Sequence, residues 1–155
     1  MNLEKYQDPL VIQKVLNFKT VAMPGLSDND LRASNFVGRY LQRNGYRVIP
    51  VNPREEEILG EKSYPSLVDI PDPVDIVDVF RAPNAAPGIA EEAVAIKAKC
   101  IWFQFGIISE EAIKIAEEGG LIVIVDRCLK VEHARFRGRM HWLGLNTNRI
   151  SAQRA

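Results

Sequence analysis

Short apolar runs alternate with amphipathic stretches along most of this chain. The apolar runs predict strands at residues 20–23, 46–51, 74–80, 100–105 and 121–125. The first run, 20–23, is continuous rather than alternating, which is typical of a parallel strand buried on both faces. The stretches with helical periodicity predict helices at residues 8–18, 34–44, 87–97 and 109–118, with a short helix at 55–59 inside a loop-like segment. The chain therefore has the pattern of an α/β protein.

Strands that alternate with helices predict a Rossmann-like, three-layer fold with a five-stranded parallel sheet. With right-handed crossovers we expect the strand order 3-2-1-4-5. Ligands of such sheets bind outside the carboxyl ends of the strands, where the strand order reverses. That rule selects four segments as the candidate site, namely residues 25–34, 52–54, 80–83 and 104–107.

The composition excludes several other classes of protein. The chain has 155 residues, enough for one domain with a sizeable core, and its net charge of zero argues against nucleic acid as a partner. No apolar run approaches the ~20 residues that span a bilayer. The polar N-terminus is unlike a signal peptide, and two cysteines are too few for a disulfide framework. We expect a cytoplasmic protein without a membrane partner.

The segment from Lys19 to Ser34 carries the strongest functional signal. An apolar strand ends at Gly25, which can turn tightly and lets a ligand approach the backbone. A polar loop follows, and Asp30 or Ser34 is expected to cap the next helix. A strand that turns into a helix N-terminus offers free N–H groups and a favourable dipole to a phosphate. Alternatively, Gly25 could serve only a tight turn.

The pattern around this glycine disfavours an ordinary NAD site. The dinucleotide fingerprint needs three glycines and an acidic residue after the second strand. Here Leu26 and Ser27 follow the single glycine, and the second strand ends in Asn52-Pro53-Arg54. Arginines such as Arg32 and Arg54 suit a terminal phosphate. The residues leave two ligands open, NADP and coenzyme A.

Several segments together resemble a known family. They are Gly25-Leu26-Ser27 with Arg32 and Ser34, residues 46–53, residues 57–60 and 64–67, residues 74–81, Trp102-Phe103-Gln104, and Asp126-Arg127-Cys128 with Glu132-His133. As a set, spanning roughly residues 15 to 135, they look like the stand-alone CoA-binding domain family. That family is similar to the N-terminal domain of the succinyl-CoA synthetase alpha subunit. Pro24, Asp28, Asp30, Leu31 and Ala33 depart from the family's pattern.

The resemblance implies a coenzyme A site and a role for each segment. Gly25, Leu26, Ser27, Arg32 and Ser34 would hold the phosphates. Asn52, Pro53 and Arg54 would contact the adenine ribose side. Val79, Phe80, Arg81 and Pro83 would line the adenine and pantetheine path, and Gln104 and Gly106 would border the pantetheine arm. The implied function is non-catalytic binding of coenzyme A or an acyl-CoA.

Other interpretations stay open at this stage. Arg81 could instead pair with Asp78 or Asp126 on the surface, Asn52 could simply end a strand, and Phe80 and Trp102 could be core residues. An NADP-dependent reductase would need a proton donor such as Tyr64 or His133. A third alternative is a regulatory or structural Rossmann domain that has lost its ligand.

The residues predict neither a catalytic pair nor a metal site. Cys128 and His133 lie five residues apart on a segment without helical periodicity, so their geometry is not determined. Together with His141 they do not match a zinc spacing.

The chain changes character near its end. We expect a domain at residues 1–135 and a basic tail at 136–155, in which Trp142 and Leu143 would pin the middle against the domain. The tail would serve as an oligomer arm or a loose end. A homo-oligomer or a partner enzyme subunit that supplies catalysis is consistent with this organisation.

Overall fold

The computed structural model describes residues 1–138, and within them the five predicted strands form one parallel sheet. The strands are β1 (Thr20–Pro24), β2 (Arg47–Val51), β3 (Ile76–Val79), β4 (Cys100–Phe103) and β5 (Ile122–Val125). All pairings within this sheet are parallel. The predicted fold class is therefore confirmed. The predictions made for residues 139–155 lie outside the described residues.

Helices cover both faces of the sheet. They are α1 (Pro9–Val15), α2 (Ala33–Arg43), α3 (Ala86–Ala95), α4 (Glu110–Glu118) and α5 (Leu129–His133), and α5 continues into a π-helical turn (Ala134–Gly138). Buried residues of α1, α2 and α5 pack on one face, and those of α3 and α4 pack on the other. The sequence did not predict α5, because five residues are too few to show a helical period.

The predicted strand order is wrong. The observed order is β2-β1-β3-β4-β5, so β3 lies beside β1 and not outside β2. Pro50 in β2 lacks the N–H that another strand would need, and proline is confined to edge strands for this reason. The outer side of β2 is instead occupied by Tyr64, whose N–H donates to the Pro50 carbonyl at 3.1 Å. The order now reverses between β1 and β3, which moves the expected ligand site to that junction.

The short helix predicted at residues 55–59 is also wrong. This segment forms half of a small antiparallel hairpin in which Glu57–Ile58 pairs with Glu61–Lys62. Leu59 and Gly60 connect the two strands with positive φ angles. Ile58 is buried in the cluster that α1, α2 and α5 form on one face of the sheet, which holds the hairpin on the domain. Burial of one apolar side chain here outweighs the helix propensity of the neighbouring glutamates.

The core explains several other positions. Trp102 and Phe103 are fully buried, so Trp102 is a core residue. The Trp102 Nε1–H donates to the Arg127 carbonyl at 2.8 Å, which joins the end of β5 to β4. Among the helices of residues 1–138, none is long and apolar enough to cross a membrane.

Candidate functional site

Gly25 stands where the carboxyl ends of β1, β2 and β3 meet. Its N–H donates to the Val51 carbonyl at 3.1 Å, and the Phe80 N–H donates to the Pro24 carbonyl at 2.9 Å. Gly25 has a φ of +88°. A β-carbon at this position would lie 2.5 Å from the Phe80 oxygen. The glycine is therefore required both by its backbone conformation and by the close approach of β3.

The loop after Gly25 folds back onto the start of α2. The Ser27 N–H donates to the Ser34 Oγ at 2.9 Å, and the Asn35 Nδ2 donates to the Ser27 carbonyl at 2.8 Å. Ser34 and Asn35 are both buried. The Leu26 side chain is fully buried in the core, so only its backbone faces the loop. These hydrogen bonds within the chain fix the conformation of the loop.

The expected helix cap is wrong. Arg32, not Asp30 or Ser34, is the N-cap residue of α2, and its side chain does not cap the helix. The Ser34 hydroxyl is used to hold Ser27 instead. Among residues 1–138, the N–H groups of Ala33 and Ser34 donate to no other group. Uncapped amides at a helix N-terminus are free to bind an anion.

Asn52 ties the second loop to the first. Its Nδ2 donates to the Leu26 carbonyl at 3.1 Å, and its Oδ1 accepts the Arg54 N–H at 2.8 Å. Pro53 and Arg54 are exposed beside it. They border an open cavity of about 710 Å³ that residues 52–57, Lys62, Ser63 and Pro65 line. The structure therefore gives Asn52 an organising role and leaves Arg54 accessible.

The end of β3 presents a second exposed arginine. Val79 is buried and Phe80 is half-buried, whereas Arg81 and Pro83 are exposed. The suggested pairing of Arg81 with Asp78 or Asp126 is wrong. Asp78 is fully buried and accepts from Gln104, and the Asp126 Oδ1 accepts the Gly106 N–H. Within residues 1–138, none of the ion pairs includes Arg32, Arg54 or Arg81.

Gln104 and Asp78 form a buried polar pair beneath the ends of β3 and β4. The Gln104 Nε2 donates to the Asp78 Oδ1, and the Asp78 Oδ2 has no partner. Complete burial raises the pKa of Asp78 to about 7, although the bond from Gln104 acts in the opposite direction. Sequence reasoning missed this pair, yet a carboxylate inside the apolar run VDIVDVF was a usable signal.

His133 lies in an aromatic cluster away from Gly25. Its Nδ1 is 2.8 Å from the Tyr40 hydroxyl, and its ring meets the rings of Tyr40 and Tyr46 edge-on. Burial, followed by the charges of Arg137 and Lys19, lowers the pKa of His133. Desolvation raises the pKa of the Cys128 thiol. Neither group has the environment of an activated nucleophile and base.

Comparison with known proteins agrees with the residue pattern. A profile of the CoA binding domain family matches residues 19–134. The chain belongs to the CoA binding domain family. This membership supports binding of coenzyme A in general, and it covers all five strands.

Individual relatives of this CoA-binding domain differ in size. The protein YneT of Bacillus subtilis (strain 168) is 46% identical over 116 residues, which cover 75% of this chain and 86% of YneT. A solved structure of a protein from Pyrococcus horikoshii OT3 is 40% identical, with a TM-score of 0.83, and the match covers 87% of this chain and 96% of that one.

A longer relative carries the same domain. The ADP-forming acetate–CoA ligase I of Archaeoglobus fulgidus is 30% identical over 121 residues, which cover 72% of this chain and 18% of the ligase. This domain therefore corresponds to a small part of that multi-domain enzyme.

Proposed function

We propose that this domain binds coenzyme A or an acyl-CoA at the carboxyl edge of its sheet, and that it does so without chemistry of its own. The observation that carries the proposal is the environment of Gly25. Three exposed arginines, one on each of the three surrounding loops, have no ion-pair partner among residues 1–138. Coenzyme A carries three phosphates, which match three available guanidinium groups in number and charge.

Each part of the proposed site suits one part of the ligand. The free amides of Ala33 and Ser34, with Arg32 beside them, would bind the pyrophosphate. Arg54, on the accessible loop after β2, would bind the phosphate on the adenine ribose because a guanidinium binds phosphate bidentately. Arg81 would hold the ligand at the end of β3. The proposal thus keeps the roles that the family resemblance implies.

The tight contact at Gly25 supports this location. Because Gly25 has no side chain, its backbone lies close to that of Phe80 after β3. A pyrophosphate would rest on the backbone surface at this junction. Ser34 and Asn35 hold the loop in its conformation through partly buried hydrogen bonds. A preorganised loop loses little conformational entropy when the ligand binds.

The proposal of binding without catalysis has its own support. The thiol of Cys128 has a raised pKa, and the Nδ1 of His133 is engaged by Tyr40. The acetate–CoA ligase relatives are much longer than this chain. Any ligase chemistry that involves this domain would use residues outside the part that matches these ligases.

Calorimetry and thermal unfolding test the proposal together. The purified chain should bind coenzyme A, and saturation at one hundred times the Kd should add about 2.7 kcal/mol to the free energy of unfolding. A variant with R32Q, R54Q and R81Q should lose this effect. Arg43→Gln, an exposed arginine at the other end of α2, is the matched control and should retain it.

Two results would overturn the proposal. One is the absence of both heat and stabilisation with coenzyme A at millimolar concentration. The other is tight binding of NADPH, detected by its fluorescence, without binding of coenzyme A, since this outcome would favour the reductase alternative.

A further inference from the structure

The loop after β4 exposes two large apolar side chains. Phe105 is 58% exposed and Ile108 is 40% exposed, and they flank Gly106 and the half-buried Ile107. A single exposed apolar residue is ordinary in a folded protein. Two of them lie in one four-residue loop next to the proposed pantetheine path. This arrangement suggests that the loop binds an apolar group.

This loop is held by hydrogen bonds along its length. The Gly106 N–H donates to the Asp126 Oδ1 at 2.8 Å, and the Ile107 N–H donates to the Gln104 carbonyl at 3.0 Å. Asp126 itself has a φ of +59°, a left-handed conformation that costs a non-glycine residue free energy. Gln104 is fastened below by the buried Asp78. The exposure of Phe105 and Ile108 is thus built into the fold.

The reach of coenzyme A places its thiol near this loop. Twelve bonds separate the pyrophosphate oxygen from the sulfur, which equals four residues of extended chain or about 13 Å. Neighbouring strands lie about 4.8 Å apart, so the distance from the end of β1 past β3 and β4 to β5 is about 14 Å. A ligand whose phosphates lie at Gly25 and whose extended arm runs along this edge towards β5 would reach the ends of β4 and β5 with its thiol.

We propose that the ligand is an acyl-CoA with an apolar acyl chain, and that Phe105 and Ile108 contact this chain. The proposal rests on the proposed function and specifies its ligand class. A carboxylate-bearing acyl group has less support at this position. Arg127, which follows Asp126 in the chain, already donates to the Asp126 carbonyl and to the Gln7 Oε1, and Asp126 adds a negative charge.

Calorimetric Kd values for coenzyme A and its acetyl, butyryl, hexanoyl and succinyl thioesters test this proposal. From acetyl to hexanoyl, affinity should rise about two- to fourfold per methylene that is buried, and succinyl-CoA should bind no better than acetyl-CoA. The variants F105S and I108S should flatten this series, and I108S, which lies outside the candidate segment 104–107, should leave the Kd for coenzyme A within about twofold. Val68→Ser, at an exposed apolar residue in the turn before β3, is the matched control and should leave the series unchanged.

The possible failures are distinguishable. If coenzyme A binds but affinity does not change with chain length, or if succinyl-CoA binds most tightly, the acyl-chain proposal is wrong and the proposed function stands. If the series persists in F105S and I108S, the chain contacts another surface and the assignment of this loop fails. If neither coenzyme A nor any thioester binds, the proposed function itself fails. Thermal unfolding of each variant checks that it is folded. We expect both variants to fold, because Phe105 and Ile108 are exposed.

Discussion

The carbonyl oxygen of Phe80 lies 2.5 Å from the point that a β-carbon on Gly25 would occupy. This contact joins the end of β1 to the end of β3 at the place where the strand order reverses. It leaves no room for a side chain and keeps the loop of Gly25 in one position against β3.

Gly25→Ala should therefore destabilise the domain through two effects. The φ of +88° costs about 1–2 kcal/mol for a residue with a β-carbon, and overpacking against Phe80 adds about 1–3 kcal/mol. Gly45→Ala separates the two effects, because Gly45 has the same φ but no atom near its β-carbon position. Chemical denaturation should show a larger loss for G25A than for G45A. Equal losses would mean that the Phe80 contact has no energetic weight.

Arg54 should discriminate between coenzyme A and its analogue without the ribose phosphate. R54Q should weaken binding of coenzyme A about tenfold, equivalent to ~1.4 kcal/mol, because one charge-assisted contact is lost. The Kd for dephospho-coenzyme A should not change. Calorimetry with both ligands measures the difference, and R43Q is the control. An equal loss for both ligands would place Arg54 elsewhere along the ligand.

The carboxylates of the first loop should oppose binding of an anionic ligand. Asp28 and Asp30 are exposed in the loop between Gly25 and α2. D28N and D30N should each tighten binding of coenzyme A about two- to fivefold at low ionic strength, and the gain should shrink as salt screens the charges. Glu118→Gln removes an exposed charge at the far end of α4 and serves as control. Weaker binding in D28N or D30N would show that the carboxylate contacts the ligand favourably.

Asp78 should make the stability of the domain depend on pH. Its pKa rises from an ordinary 3.8 to about 7 in the folded protein, so the folded state retains a proton that the unfolded state releases. Stability from this group is fully present below pH 4 and falls by about 1.4 kcal/mol per pH unit up to about pH 7. Asp78→Asn should remove this slope in denaturation experiments between pH 4 and pH 8. An unchanged slope in D78N would assign it to another group.

His133 should make the stability of the domain depend on pH in the direction opposite to Asp78. Its pKa lies below the ordinary 6.5, so its contribution to stability is complete above pH 6.5 and is lost as the pH falls through the folded-state value. NMR titration of the imidazole should show the lowered pKa, and Lys19→Gln or Arg137→Gln should raise it because a nearby positive charge is removed. Lys114→Gln on α4 should leave it unchanged. A pKa at or above 6.5 in the native domain would contradict the cluster geometry.

The five strands and most helices could be predicted from the sequence because their cause is local. Continuous apolar runs such as 121–125 and the Asn44-Gly45 helix end each report their own element. The candidate loops followed from the same pattern, since parallel strands bring their carboxyl ends to one edge. Gly25, Arg54 and Arg81 were selected in this way.

The neighbour relations could not be predicted, because they depend on contacts between distant residues. The placement of β3 beside β1 follows from the occupation of the β2 edge by Tyr64. Three side-chain hydrogen bonds likewise form only in the folded chain. They join Ser34 to Ser27, Asn52 to Leu26 and Asp78 to Gln104.

The sequence by itself thus determined the α/β class, the loops that can carry a site and the resemblance to CoA-binding domains, since residue types and their spacing encode these features. Only the tertiary structure decided which loops meet, which polar groups are already engaged and which arginines remain available to a ligand. The physical reason is that burial and hydrogen bonding depend on contacts between residues that are far apart in the chain. The pattern of residues along the chain does not show which of them will be in contact.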